Sequence, residues 1–321
     1  MVSNPQPEIS VIIPLYKSAR YLREALESIS NQTYGSQGKN PFEVLLIIDG
    51  ECENFEDNIP PQIRPALKIH KIEHRGVSGA RNCGIEKSSA KFIAFLDADD
   101  IWCPSKIARQ MEAFRKSPQA GLVYTNSFWI DKSGKVLKRT QEKQYGKLPQ
   151  GRIHLDMMER DYIITSSMLI GKDVFAKVGL FDTGLEVCED WELKIRIARE
   201  FEVVSVPEPL IYYRLHAGGS HYQCEKMLEC GYKVFDAHIQ PLETTESGNG
   251  RLEKLKANIS LNLAGSRLYI DQPGEARKYL AESFRWNKKS LRLYLMYFLS
   301  LFPKPARDFL LEMRDRIPLF P

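Results

Sequence analysis

Short apolar runs recur through the first hundred residues, with helix-period stretches between them. The runs are EISVIIPLY (8–16), FEVLLIID (42–49), ALKIHKI (66–72) and 91–97. A continuous apolar run of this length suits a strand covered on both faces. Leu22, Ala25, Leu26 and Ile29 repeat at helical spacing after the first run. The stretch GVSGARNCGIEKSS (76–89) reads as a glycine-containing turn into a helix before the fourth. Alternation of this kind predicts parallel strands joined by helices. In such a sheet ligands bind beyond the carboxyl ends of the strands. The fourth run ends there in FLDADDIW, with Asp97, Asp99 and Asp100. Clustered carboxylates repel unless a cation or proton compensates them, so a positive partner is expected at this edge.

The rest of the chain is less regular. Pro104 can open a helix whose Ile107, Met111 and Phe114 share a face. GLVYTNSFWI and KVLKR flank DKSG as a hairpin, and YIITSSMLI (162–170) reads as a strand. A helix opened by acids is expected over 188–200, with strand and loop returning to the sheet over 202–216. From 223 onward the pattern is helical, which divides the chain into a catalytic-type domain over 1–222 and a helical region over 223–321. No secretory start is visible in MVSNPQPEIS, so the expected location is cytoplasmic. Six cysteines lack CxxC or zinc-ligand spacing, and reduced thiols are the default. The net charge is +4, yet 285–307 alone carries six basic residues and no acid, leaving −2 elsewhere. That local excess, with no recognition motif, argues against a nucleic-acid partner.

Two acids in DxD spacing after a buried strand suit a hard cation, Mg²⁺ or Mn²⁺, that also holds substrate phosphates. The competing reading is a solvated turn leading to the next helix, and Asp100 is expected as the cap of the turn running into Pro104.

VIIPLYKSARYLREALESISNQTY, IIDGE, GVSGARNCGI, FLDADDIW, GLFDTGLEVCEDWEL and PLIYYRLHAGGS occur in one order over roughly residues 8–221. In that order they resemble family 2 glycosyltransferases. The resemblance implies a GT-A fold, α/β with a central mixed, mainly parallel sheet, here carrying a C-terminal helical appendage. It also implies a metal-dependent, inverting transfer from a nucleotide-sugar donor to a carbohydrate or lipid-linked acceptor, in the setting of polysaccharide or glycolipid assembly. By the same resemblance Pro14 and Tyr16 start the nucleotide pocket, and Asp49 accepts a hydrogen bond from a pyrimidine ring N–H, which fits UDP or dTDP donors. Ile48 stands where the family commonly has a first acid. Arg81 is placed to meet the nucleotide, Asp97 the ribose side, and Asp99 the metal, with His216 returning over metal or diphosphate. Asp190 is the implied general base, Glu189 and Trp191 contact the acceptor, and Arg214 is a partner for an acid of the site.

Two other classes compete. A haloacid dehalogenase-type phosphatase also has DxD after a strand, but Asp100-Ile101-Trp102 follows here in place of Gly-Thr. A sugar-nucleotide-binding or scaffolding protein could keep the fold without turnover, against which stand the retained Asp49, Asp97, Asp99 and Asp190. The apolar stretch LYLMYFLSLF (293–302) is too short to span a bilayer. It reads either as a tail helix packed on its neighbours or as a peripheral contact through 285–307 with the inner face of a membrane.

Overall fold

The structure is a computed structural model. It describes residues 6–35, 41–140, 147–216, 226, 230–231, 233–239, 250–269 and 271–307. The chain divides into two units, Met1–Ser220 and His221–Pro321. The boundary expected at 222/223 lies outside the described residues.

The first unit is built on one sheet. In chain order its elements are β1 (Ile9–Leu15), α1 (Leu22–Ser30), β2 (Phe42–Asp49), β3 (Leu67–Ile72), α2 (Gly76–Lys87), β4 (Phe92–Phe95), β5 (Ile101–Trp102) and α3 (Lys106–Lys116). Then follow β6 (Ala120–Asp131), β7 (Val136–Thr140), α4 (His154–Glu159), β8 (Leu169–Gly171), α5 (Val174–Val178), α6 (Glu189–Glu200) and β9 (Glu202–Leu215). The strand order is β3-β2-β1-β4-β8-β6-β9-β5, with β7 hung on β6. Strands β1 to β4 pair in parallel, as do β6 and β9, while β8, β5 and β7 run against their neighbours. This is the mixed, mainly parallel α/β sheet the alternation predicts.

The core follows from the pattern. Val11, Ile13, Val44, Leu46, Ala94 and Leu96 meet Leu22, Ala25, Leu26 and Ile29 of α1 in one buried cluster. Each large side chain so buried contributes about 1.5–3 kcal/mol. Strand β1 lies between two neighbours yet contains Pro14. Its register with β4 ends at Ile12 opposite Phe95, so the missing Pro14 N–H falls beyond the last β4 pair. Helix α2 crosses β1 so closely that a Cβ on Gly84 would come within 2.5 Å of Ile12 Cγ2. At the expected hairpin Asp131 accepts from the Ser133 and Lys135 N–H groups, and Gly134 takes φ +85, the turn chemistry DKSG supplies.

The expected strand over 162–170 is a correction. Only Leu169–Gly171 is strand, and Thr165–Ser167 is a 3-10 turn. The hydroxyls of this polar triplet bond to Asp190, Asp100 and the Ile164 carbonyl, a local and tertiary alternative to a ladder.

In the second unit α7 (Gly250–Tyr269), α8 (Pro273–Trp286) and α9 (Leu291–Leu299) share a separate apolar cluster of Leu261, Ala264, Leu268, Ala276, Leu280, Leu293, Met296 and Leu299.

Candidate active site

The parallel strands β1, β2, β3, β4, β6 and β9 deliver their carboxyl ends to one edge. There β1 runs into Tyr16, β2 ends at Asp49, β4 leads to Asp97 and Asp99, and β9 leads to His216.

At the β2 side Asp49 is buried, and both of its oxygens are engaged. Oδ1 accepts from the Arg75 backbone N–H at 2.7 Å and Oδ2 lies 2.9 Å from His74 Nδ1. The His74 ring stacks on Tyr16, with centroids 4.3 Å apart and planes 10° from parallel. Tyr16 is 43% exposed, so this stack presents an open aromatic face. Lys17 Nζ sits 4.7 Å from the centre of the same ring. Pro14 is half-buried just before it. His74 was not read from the sequence. Its position at the end of the β3 register, two residues past Ile72, was the available signal.

Arg81 joins the β4 edge to α6. It is buried and donates from Nη2 to Asp97 Oδ1 at 2.8 Å and from Nη1 to Glu189 Oε1 at 2.6 Å. Placed between two carboxylates it is held firmly protonated. Its position is therefore that of an internal bridge between the DxD edge and the acids of α6. Asn82, next in sequence, exchanges two hydrogen bonds of 2.9 Å with the Phe181 backbone, which ties GVSGARN to GLFD.

Asp99 Oδ2 lies 2.7 Å from His216 Nε2. Burial first, then the charge of Asp97, pushes the Asp99 carboxyl up. The sequence leads one to expect Asp100 as the cap of the turn running into Pro104, and the structure corrects this. Asp100 is 1% exposed and turned inward, accepting from Ser166 Oγ at 2.6 Å and from the Arg214 backbone N–H at 3.0 Å. Burial and the neighbouring Asp99 and Asp97 raise its carboxyl well above the usual range. Arg214 is also buried. Its Nε donates to the Asp99 carbonyl at 2.8 Å, its Nη2 pairs with Glu24 of α1 at 2.9 Å, and its guanidinium lies over Tyr21. Its carboxylate partner thus comes from α1 and not from the DxD edge.

Cys188, in the left-handed region at φ 64, turns the chain into α6. Asp190 in the first turn of that helix accepts from Thr165 Oγ1 at 2.6 Å and from Lys194 Nζ at 2.8 Å. Lys194 is fully buried and also pairs with Asp161 at 2.8 Å. Burial alone would raise the Asp190 carboxyl. The charges of Lys194 and Arg81 and the bonds from Lys194 and Thr165 outweigh it and bring the group to about 2. Asp161, across Lys194, is pushed up to about 6 by burial, against the pull of Lys194. The two residues following the sequence of contacts outward are committed differently from Asp190. Glu189 is engaged by Arg81, and Trp191 is half-buried with its indole N–H donating to the Met157 carbonyl at 2.5 Å. Lys194, Asp161, Thr165 and Ser166 were missed in the sequence. Only the i, i+4 spacing of Asp190 and Lys194 was there to find.

The donor set can be tested against a divalent cation. Of six carboxylates here, Asp97 and Glu189 pair with buried Arg81, Asp161 and Asp190 with buried Lys194, and Asp99 and Asp100 with neither. The cluster is short of positive charge. Among the described residues no three His, Cys, Asp or Glu side chains gather around one point. Mg²⁺ or Mn²⁺ in a phosphate-transfer site needs only one or two protein ligands, the remainder coming from substrate phosphates and water. Asp99 and His216, in contact with each other at the edge, fit that requirement.

The mixed, mainly parallel sheet has the architecture of GT-A glycosyltransferases. The same architecture occurs in the mannosyltransferase PcManGT of Pyrobaculum calidifontis, solved with GDP-Man and Mn²⁺. It aligns with a TM-score of 0.61 at 18% identity, over 95% of this chain and 83% of that one. TarS 1–349 of S. aureus, solved with UDP, aligns with a TM-score of 0.53 at 13% identity, over 91% of this chain and 90% of that one. The chain belongs to glycosyl transferase family 2, whose profile matches residues 10–179. An uncharacterised glycosyltransferase of Rickettsia prowazekii is 31% identical over 274 residues, 85% of this chain and 83% of the relative. The chain spans only 35% of the length of the related proteins of Rickettsia felis and Rickettsia bellii. The minor teichoic acid biosynthesis protein GgaA of Bacillus subtilis is 39% identical over 122 residues, 35% of this chain and 26% of its own length. Asp190 and His216 lie beyond the matched family segment.

Proposed function

We propose that the chain is a metal-dependent, inverting glycosyltransferase that moves a sugar from a UDP- or dTDP-type donor onto an acceptor hydroxyl in polysaccharide or glycolipid assembly. The observation that carries this reading is Arg81, whose one guanidinium holds Asp97 of the DxD and Glu189 beside Asp190. It brings a candidate ribose-side acid and the turn that carries a candidate base into a single site. In the proposed reaction the acceptor oxygen bonds to the anomeric carbon as its proton passes to Asp190. The bond from that carbon to the diphosphate oxygen breaks, and the nucleoside diphosphate leaves. Lys194 and Thr165 keep Asp190 ionised and aimed. A divalent cation held by Asp99 and His216 would supply Lewis-acid neutralisation of the departing diphosphate. Tyr16 with His74 offers the face for the base. A pyrimidine ring N–H reaches Asp49 only where His74 cedes Oδ2, because both carboxylate oxygens are engaged.

Carbohydrate or lipid-linked acceptors, bound on the Glu189–Trp191 side, and a location in the cytoplasm at the inner face of a membrane complete the reading. On the same fold TarS was solved with UDP and PcManGT with GDP-Man, which supports a nucleotide-sugar donor. A screen for release of UDP, dTDP and GDP from a panel of nucleotide sugars, with and without Mn²⁺, tests it. Release of UDP or dTDP that needs the metal is expected. In Asp190→Asn, transfer should fall by about 10²–10⁴ with donor affinity kept, the scale of a lost general base. Transfer near the wild-type level would place the base elsewhere.

A further inference from the structure

Helix α9 has two apolar faces. Leu293, Met296 and Leu299 are buried against α7 and α8. Leu291, Tyr294, Tyr297 and Phe298, with Leu301 in the turn that follows, are 50–74% exposed. At the α-helical 100° per residue the four helical members fall within an arc of about 120°. Large apolar side chains scattered singly on a surface are ordinary, whereas a contiguous row of them marks an interaction face.

The surroundings of the row narrow the partner. Arg285, Lys288, Lys289 and Lys304 are exposed around it, and no acid occurs between 285 and 307. Arg292 is exposed too, with one donor on Asn262. Arg307 is withdrawn, buried and paired with Asp271. The row includes two tyrosines, and Tyr294 donates its hydroxyl to the Lys288 carbonyl. Rings with an apolar body and a polar tip, rimmed by cations, match the boundary between headgroups and acyl chains. A second copy of the chain would bring like charges together. A helix of nine residues is about 14 Å long, well short of a span, and no described helix is long and apolar enough to cross a membrane.

We propose that the outward face of α9 docks on an anionic lipid bilayer, with Leu291, Tyr294, Tyr297, Phe298 and Leu301 in the acyl boundary and Lys288, Lys289 and Lys304 on the headgroups. The docking is independent of the sugar-transfer reading, and it brings the chain to surfaces where lipid-linked acceptors reside.

Flotation of the full chain with vesicles tests it. One set contains phosphatidylcholine alone and the other phosphatidylcholine with phosphatidylglycerol. The full chain is expected to float with the anionic set and to be released by salt. Exchanging Lys288, Lys289 and Lys304 for Gln should weaken binding on the order of 100-fold, from the contribution of each basic residue near a charged surface. Exchanging Leu291, Tyr294 and Phe298 for Ser should abolish it. The altered side chains are exposed, so circular dichroism and nucleotide release should remain those of the parent chain. No flotation by the full chain, equal binding to the neutral vesicles, or undiminished binding by the serine variant would overturn the proposal. A dimer in sedimentation that the serine variant loses, without vesicle binding by the parent, would assign the face to a second copy. Loss of the transfer reading would show instead as absent nucleotide release with flotation intact.

Discussion

Replacing Lys194 by Met is the sharpest test of the proposed role of Asp190 as the base. Lys194 is fully buried and its ammonium is shared between Asp190 and Asp161, each at 2.8 Å. Asp190 rests at about 2 against an ordinary 3.8. Burial is the largest influence and pushes upward, and Lys194 is the largest influence pulling downward. Methionine keeps the stem and removes the charge and its hydrogen bond, which leaves the Arg81 charge and the Thr165 bond against burial. A single adjacent charge moves a carboxyl by about 1–3 pH units. The Asp190 group should therefore rise from about 2 to as high as about 5. The assay is kcat/KM for transfer from pH 4 to 8, which reports groups of the free enzyme. In the parent chain Asp190 is ionised throughout that range and contributes no acid limb. In Lys194→Met an acid limb should appear below about pH 5. Stability should also fall, by less than the roughly 3–5 kcal/mol of a fully buried broken pair, since the two carboxylates are 24% and 34% exposed. An unchanged pH profile in a folded variant would refute the argument.

Asp99→Ala should abolish the Mn²⁺-dependent part of nucleotide binding in calorimetry while leaving Tm nearly unchanged, since the residue packs no core; an unaltered Mn²⁺ response would remove Asp99 from the ligand set. Glu43 is buried and held down to about 2 from 4.5, because bonds from Lys68, Ser10 and Ser89 outweigh its burial. Its stabilisation is thus complete above about pH 4.5 and lost as pH falls toward 2. Glu43→Gln should cost about 2–3 kcal/mol at pH 7 by urea unfolding, with the gap closing on acidification; a gap independent of pH would show that the charge is not its source. Lys106 is fully buried over Trp102, bonds Gln110, and is pushed well down by burial. The unfolded chain therefore binds the extra proton up to about pH 10.5, and stability should rise with pH in that window. Lys106→Met should flatten that slope between pH 7 and 9.5, and retention of the slope would assign it to another group.

The strands of the parallel half were legible because their signal is local. Apolar runs closed by turn residues set β1 to β4 to within a residue or two, and the acids at their ends fell at the sheet edge for the same reason. What was not legible is the wiring between those acids. Asp97, Asp99 and Asp100 read as three similar carboxylates, yet one contacts Arg81, one His216, and one is locked between Ser166 and the Arg214 backbone. Those partners lie between 16 and 117 positions away, and nothing in period or spacing selects them. The same blindness misread 162–170, where the pull of Asp100 and Asp190 on Ser166 and Thr165 overrides the strand pattern. Lys106 shows the converse, a lysine at an apolar position of α3 that periodicity assigns to solvent. The pairing that results is economical in cations. Arg81 serves two acids and Lys194 two more, and each such bridge fixes one carboxylate by using the other as its counterweight. Among the described residues Asp99 pairs with His216 and with neither Arg81 nor Lys194, so the remaining demand for positive charge falls at the outer end of the DxD. In the proposed transfer that is the end an incoming diphosphate would meet, so a cation arriving with it would answer the imbalance left by the protein's own ion pairs.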